Sequence, residues 1–358
     1  MTDGQKRMNW KSTRDTGTTM SNIEPDFCHI LALSACAGLV LTSCVEPLAP
    51  CADVAGAVSC PMPGWVDRAF DLRVPPGWDG TSPLPVIYAF HGGGGNRTAA
   101  ERVTCPDGDV ESSGCLSAKA TAAGYAVVRP DGTGSRPVRN ARTWNAGGGV
   151  GDWQCVSGGA CKSGADDLRY FDELHAEIGR LVPIDANRVY ATGLSNGAAF
   201  PNRLACERSE ILAAIAPVGG ANQHAAAGGA CAPGVAVFHI HGTEDPCWTY
   251  ESSTAACLQT DGKIKVGARA SLDAWAERNG CSPLPSEERL PDTSDDGTVT
   301  TRLRWLDCAA DVEHLRVEGG GHTWPGGDAY SDVAGPVSQD FDADDLILEF
   351  FDAHPRVP

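Results

Sequence analysis

Arg188-Val189-Tyr190-Ala191-Thr192-Gly193-Leu194-Ser195-Asn196-Gly197-Ala198-Ala199-Phe200 is the stretch on which the reading of this chain turns. A short apolar run ends at Gly193, Ser195 stands at a turn, and a helix is expected from about Asn196. The pattern G-x-S-x-G at a strand-to-helix junction is a nucleophile elbow. Its turn is tight enough to push the serine into a strained backbone conformation, and the flanking glycines leave room for neighbouring backbone. In a chain with 42 glycines a bare match can arise by chance, so the flanking sequence has to supply the structural context.

Outward from the elbow, strand-like and helix-like patterns alternate. Residues 65–74 read as an early antiparallel edge strand. Residues 85–90 read as a buried strand running into His91-Gly92-Gly93-Gly94-Gly95-Asn96, and 124–132 as another strand stopped by Pro-Asp-Gly. The spacing of Leu168, Phe171, Leu174, Ile178 and Leu181 predicts a helix over 166–182. After the elbow, strands are expected at 212–218, 235–240 and 314–317, and helices at 263–279 and 344–353. The Pro/Asp-rich segment 282–301 reads as a surface loop. This order implies an α/β fold, a mostly parallel central sheet with helices on both faces.

The 358 residues, 42% of them hydrophobic, suit one large α/β domain or two small ones. Against 28 basic residues stand 46 acidic ones, a net charge of −18 that makes nucleic acid and anionic membrane surfaces poor partners. Residues 1–44 read as an N-terminal extension with an export signal, because the apolar run 30–41 is too short to span a membrane. Leu41-Thr42-Ser43-Cys44 resembles a bacterial lipobox, so a lipidated Cys44 is the one route to membrane attachment. Residues 45–63 read as a linker, and 64–358 as the catalytic domain. Setting aside Cys28, Cys36 and Cys44, twelve of the 15 cysteines remain. That even number predicts six disulfides in an oxidising compartment, a secreted, periplasmic or cell-surface location, and a disulfide-rich fold. No C-x2-C or H-x3-5-H pair supports zinc. The acidic runs at 292–297 and 340–344 lack the twelfth-position Glu of a calcium loop, so no metal is expected.

Ligands of open α/β sheets bind beyond the carboxyl ends of the strands. Past the strand at 235–240 lies His241-Gly242-Thr243-Glu244-Asp245-Pro246, and past that at 314–317 lies Glu318-Gly319-Gly320-Gly321-His322-Thr323-Trp324-Pro325-Gly326. The order Ser195, Asp245, His322 is nucleophile, acid, base, as in α/β-hydrolases. A serine hydroxyl needs a base to take its proton, and a carboxylate to orient that base and stabilise the imidazolium. Glu244 and Asp261 are rivals for the acid. His239, His241 and His314 read as core, and His91 as a residue that shapes the glycine loop. For the oxyanion, the N–H groups of Asn196 and Gly93 are the expected donors, with Gly92 as the alternative to Gly93.

With these motifs, Thr143-Trp144-Asn145-Ala146-Gly147 and Ala165-Asp166-Asp167 among them, the chain from Trp65 onward resembles a family of secreted esterases. Polyhydroxybutyrate depolymerases, LpqC-type lipoprotein esterases and feruloyl or acetylxylan esterases belong to it. The resemblance implies the α/β-hydrolase fold, a Ser195-Asp245-His322 triad, no cofactor, and an ester or polyester substrate. Trp324 and Trp144 would stand near the mouth of the site as an aromatic wall, core packing being the alternative. A segment from Gly148 to Gly164, with Cys155 and Cys161, is an insertion that bears on substrate specificity. Polyester or small-ester hydrolysis is the leading expectation, with feruloyl or acetyl esters as the alternative. Acyl transfer and a non-catalytic binding role are further readings.

Overall fold

A computed structural model of the chain describes residues 51–54, 57–134, 140–254, 257 and 261–356. In chain order the strands are β1 (Ala52–Val54), β2 (Ala57–Pro61), β3 (Ala69–Arg73), β4 (Leu84–Phe90), β5 (Ala126–Pro130), β6 (Thr133–Gly134), β7 (Arg142–Thr143), β8 (Ile184–Leu194), β9 (Ala214–Val218), β10 (Ala236–Gly242), β11 (Ser286–Arg289), β12 (Val299–Trp305) and β13 (Val312–Glu318). The helices are α1 (Arg97–Arg102), α2 (Leu116–Ala122), α3 (Gly159–Lys162), α4 (Asp167–Leu181), α5 (Asn196–Glu207), α6 (Gln223–Ala226), α7 (Ala268–Arg278) and α8 (Ala343–Ala353). The segment read as an export signal, Cys44 included, lies outside the described residues.

Eleven strands form one sheet in the order β1-β2-β3-β5-β4-β8-β9-β10-β13-β12-β11. The central run from β5 to β13 is parallel throughout, and antiparallel strands extend it at both edges. Side-chain alternation along β4 assigns the two faces. Val86, Tyr88 and Phe90 point into a core with Phe171 and Leu174 of α4, Phe200 of α5 and Trp275 of α7. Ile87 and Ala89 point into a second core with Leu116 of α2 and Ile347 and Phe351 of α8. Burial on both faces explains why the central strands read as unbroken apolar runs. This is the α/β-hydrolase architecture, a mostly parallel sheet covered on both sides.

Both sheet edges depart from the sequence reading. The stretch read as a linker contributes β1 and β2, which pair with each other and then with β3. The Cys51–Cys60 bridge closes that hairpin. The strand at 69–73 is therefore third from the edge. At the opposite edge, the segment read as a loop contains β11 and the start of β12. All four β11 residues, Ser-Glu-Glu-Arg, are exposed, so no apolar alternation marks them. Charge is what protects an open edge from pairing with other chains, and it hides the strand from a hydrophobicity reading.

The cysteines pair consecutively: Cys51–Cys60, Cys105–Cys115, Cys155–Cys161, Cys206–Cys231, Cys247–Cys257 and Cys281–Cys308. Asp340 and Asp296, from the two acidic runs, accept backbone N–H groups from each other's segments. Thr293 and Ser294 donate to Asp340, and Gln339 donates to Asp296.

Candidate active site

Ser195 sits between β8 and α5 with φ 62° and ψ −120°, a left-handed conformation that costs a non-glycine residue about 1–3 kcal/mol. Backbone hydrogen bonds hold it there. Its N–H donates to Val218 O at 2.9 Å, and its carbonyl accepts from Ala198 and Ala199 N–H, both at 2.9 Å. Side chains at Gly193 or Gly197 would overlap the Phe90 carbonyl, so both flanking glycines are steric requirements of the elbow.

The glycine loop after β4 is fixed by His91, which is buried. Its Nδ1–H donates to Gly92 O at 2.8 Å, and its Nε2 accepts from Gly132 N–H at 2.9 Å. Burial pushes its pKa down to about 4, so the ring is neutral and can fill both roles. Gly94 N–H donates to Arg142 O and Gly95 N–H to Gly92 O. Among the described residues no acceptor takes the N–H of Gly92, Gly93 or Asn196. Gly93 is exposed, and Gly92 approaches Ser195: a Cβ there would stand 3.7 Å from Ser195 Cβ.

Asp245 and His322 leave β10 and β13, which are neighbours in the sheet. His322 Nδ1–H donates to Asp245 Oδ2 at 2.6 Å, and both side chains are buried. Asp245 Oδ1 accepts from Cys247 N and Trp248 N, each at 2.7 Å. Burial alone would raise the carboxyl's pKa. The adjacent His322 and the hydrogen bonds outweigh it and hold the group below its ordinary value. The two loops brace each other, since Thr243 N–H donates to Val317 O and Glu244 N–H to Gly320 O. Tyr330 OH donates to His322 O at 2.6 Å. With Nδ1 protonated and bound to the carboxylate, Nε2 of His322 is left as the basic nitrogen. Gly219 and Gly220 lie close to His322 and to the elbow. A Cβ at Gly219 would stand 3.3 Å from His322 Nδ1, and one at Gly220 would overlap Ser195 O. Ser195 Oγ donates to no group among the described residues; catalytic hydrogen bonds are often long before substrate arrives.

Glu244 is exposed, and so is Asp261, whose carboxylate accepts from Gln154 Nε2 at 3.0 Å instead of meeting a histidine. Asp245, Cys247 and His322 offer ligand atoms within 4.8 Å of one another. The Cys247 sulfur is bonded to that of Cys257, which removes the thiolate a metal would need.

Neither tryptophan stands at the mouth of the site. Trp144 is fully buried, stacked on Phe200 at 5.1 Å and edge-on to Phe90 at 5.0 Å. What it gives the site is backbone. Asn196 Oδ1 accepts its N–H at 2.6 Å, and Asn196 Nδ2 donates to its carbonyl at 2.9 Å, so the backbone just after β7 clamps the residue after Ser195. Trp324 is buried at 1% exposure and donates to Asp344 Oδ1 at 2.8 Å. Both rings are core, and the aromatic-wall expectation is corrected accordingly.

Two further residues touch the turn at Asp245. His241, placed in the core by its strand position, is buried there, yet its Nε2 lies 2.6 Å from Trp248 O and 3.3 Å from Asp245 Oδ2. Lys265 is also buried. Its Nζ donates to Cys247 O at 2.8 Å and lies 4.9 Å from the Trp248 ring centre. Burial pushes its pKa down from 10.5 to about 8. The unfolded chain then binds the proton more tightly, and between about pH 8 and 10.5 it carries more protons than the folded protein. Stability contributed at this site therefore rises with pH across that window, and below it the burial penalty is felt in full. Urea denaturation of wild type and Lys265→Met at pH 7 and pH 10 should show the wild type gaining on the variant at the higher pH. An unchanged difference would mean that the ammonium is not held in a desolvated site.

No family model matches the chain. Feruloyl esterase B of Piromyces equi is 25% identical over 223 residues, which span 62% of this chain and 37% of that protein. The putative esterase NocK of Nocardia uniformis subsp. tsuyamanensis is 27% identical over 277 residues, 73% of this chain and 71% of that one. Feruloyl esterase D of Neurospora crassa is 25% identical over 256 residues, 71% of this chain and 73% of that one. Among solved structures, an acetyl xylan esterase from Aspergillus awamori aligns over 80% of this chain and 94% of its own, with a TM-score of 0.46 and 17% identity.

Proposed function

We propose that this chain, a serine ester hydrolase of the α/β-hydrolase superfamily, works through an acyl-Ser195 intermediate, with His322 as general base and acid and Asp245 as the carboxylate that orients it. The observation that carries this reading is the 2.6 Å bond from His322 Nδ1 to a buried Asp245, past the neighbouring strands β13 and β10, in the same sheet as β8, which ends at a strained Ser195. Ser195 Oγ attacks the ester carbonyl while His322 Nε2 takes its proton. The carbonyl electron pair moves to oxygen, where the N–H groups of Asn196 and Gly93 receive it. Collapse expels the alcohol, which leaves with the proton from His322, and water then repeats the sequence on the acyl group. The buried Asp245, held ionised, stabilises the imidazolium in both halves.

Six disulfides fit an extracellular or periplasmic site of action. Among the described residues no helix is long and apolar enough to cross a membrane, and attachment would run through a lipidated Cys44. For the substrate, the names of the similar proteins favour feruloyl and acetyl esters of plant cell walls. Small esters and hydroxyacid polyesters remain the second reading, on the motif resemblance. Rates on p-nitrophenyl butyrate, methyl ferulate, acetylated xylan and polyhydroxybutyrate film separate the two. Methyl ferulate turnover well above that on the film is the expected outcome, and the reverse order would sink the cell-wall reading. A fluorophosphonate probe should label Ser195 in the folded protein. Absence of label would remove the serine-hydrolase mechanism altogether.

A further inference from the structure

The insertion between Gly148 and Gly164 folds back onto the glycine loop. The contact is specific: a Cβ at Gly93 would stand 2.5 Å from Ser157 Oγ, 2.9 Å from Ser157 Cβ and 3.6 Å from Asn196 Cβ. The Ser157 hydroxyl thus fills the space where a side chain at Gly93 would lie. It stands against the same point that Asn196 borders, and those two residues supply the proposed oxyanion donors. Gly92, one residue away, is the part of the loop that approaches Ser195.

The insertion is built to hold that position. Cys155 and Cys161 close it, Val156 is buried in the core, and Ala160 N–H donates to Thr143 Oγ1 at 2.8 Å. Ser157 itself has φ 53°, a conformation disfavoured for a residue with a Cβ. It is half-exposed, although Val156 and Gly158 on either side of it are buried. A glycine would fit this backbone without strain, and a hydroxyl stands there instead. Non-glycine residues in strained conformations gather at active sites and ligand clamps.

We propose that Ser157 is a side-chain donor of the oxyanion hole, completing the set begun by Gly93 and Asn196, so that the insertion takes part in catalysis. This rests on the acyl-Ser195 reading given above. When Ser195 Oγ bonds to the carbonyl carbon, the π pair moves to oxygen and the Ser195 proton goes to His322. Ser157 Oγ–H donates a hydrogen bond to that oxyanion and keeps its proton, and on collapse the pair returns to the carbonyl. Its substrate partner is the ester carbonyl common to every candidate substrate, so the effect should not depend on the acyl group.

Ser157→Gly is the informative variant, because it removes the hydroxyl while easing the backbone, and Ser157→Ala accompanies it. Removing one oxyanion donor typically lowers turnover about 10²–10³-fold. With p-nitrophenyl butyrate, kcat of Ser157→Gly should fall by about 10²-fold with KM little changed and the melting temperature kept or raised. The rate of inactivation by a fluorophosphonate, whose tetrahedral adduct carries the same oxygen, should fall in parallel. A kcat within about threefold of wild type would overturn the proposal, as would a loss confined to KM or an inactivation rate that does not change. If wild type itself resists the fluorophosphonate, the fault lies with the acyl-Ser195 reading rather than with Ser157.

Discussion

Ser195→Ala should lower kcat on p-nitrophenyl esters by about 10⁴-fold or more while leaving the melting curve essentially where it was. The two halves of that expectation have separate physical grounds. Activity is lost because the hydroxyl that is proposed to take the acyl group is gone. What survives is the fraction that binding and the oxyanion donors provide without a nucleophile, about 10³–10⁴ over water in serine hydrolases. Stability is kept because the serine side chain is half-exposed and its hydroxyl donates to no group among the described residues. Alanine carries the same Cβ, so the φ of 62° costs it about as much as it costs serine, and the backbone bonds to Val218, Ala198 and Ala199 are untouched. Turnover within tenfold of wild type, in protein shown to be free of contaminating esterase, would remove Ser195 as nucleophile. A collapse in stability would mean instead that the hydroxyl has a structural partner.

The residues around that serine show which parts of the fold can be read from a sequence and which cannot. Central strands are legible because burial on both faces forces unbroken apolar runs. Helix α4 is legible because one face of it packs on β4 through Phe171 and Leu174. The glycines around Ser195 are legible because backbone clearance there admits very few residue types, and the Asp245–His322 pair is legible because both residues follow strands that are neighbours in the sheet. Strands β2 and β11 are not. Each is set by its partner strand, and the exposed Ser-Glu-Glu-Arg of β11 is indistinguishable from a loop until the sheet edge is present. Trp144 and Trp324 misled for a related reason. A tryptophan in a loop beside a site can face solvent or turn inward, and only the pockets lined by Phe90 and Phe200, or the acceptor at Asp344, decide it. Ser157 gives no periodic signal either. It is a serine in a glycine-rich insertion, and its nearness to Gly93 comes from how that insertion folds back, with the Cys155–Cys161 bridge closing it.

Full reduction of the six disulfides should unfold the domain at ordinary temperatures. The bridged cysteines are 6 to 27 residues apart in sequence. In the chain-entropy account, loops of this size are worth about 2–4 kcal/mol each by limiting the unfolded ensemble. Typical net stabilities are about 5–15 kcal/mol, so the six together match or exceed what an ordinary domain has to lose. Three of the bridges hold local segments. Cys51–Cys60 closes the edge hairpin, and Cys155–Cys161 closes the insertion over the glycine loop. Cys247–Cys257 anchors the turn whose N–H groups at 247 and 248 hold the Asp245 carboxylate. Loss of that last bridge alone should reach the chemistry before the fold, because Asp245 then orients His322 from a looser turn. Cys247→Ala/Cys257→Ala should accordingly lose kcat while its circular dichroism spectrum at 25 °C stays native-like. Wild type titrated with reductant should lose activity first and secondary structure later, as more thiols appear. A fully reduced protein, with all twelve thiols reactive to a thiol reagent, that kept the wild-type melting curve would show that packing alone carries the fold.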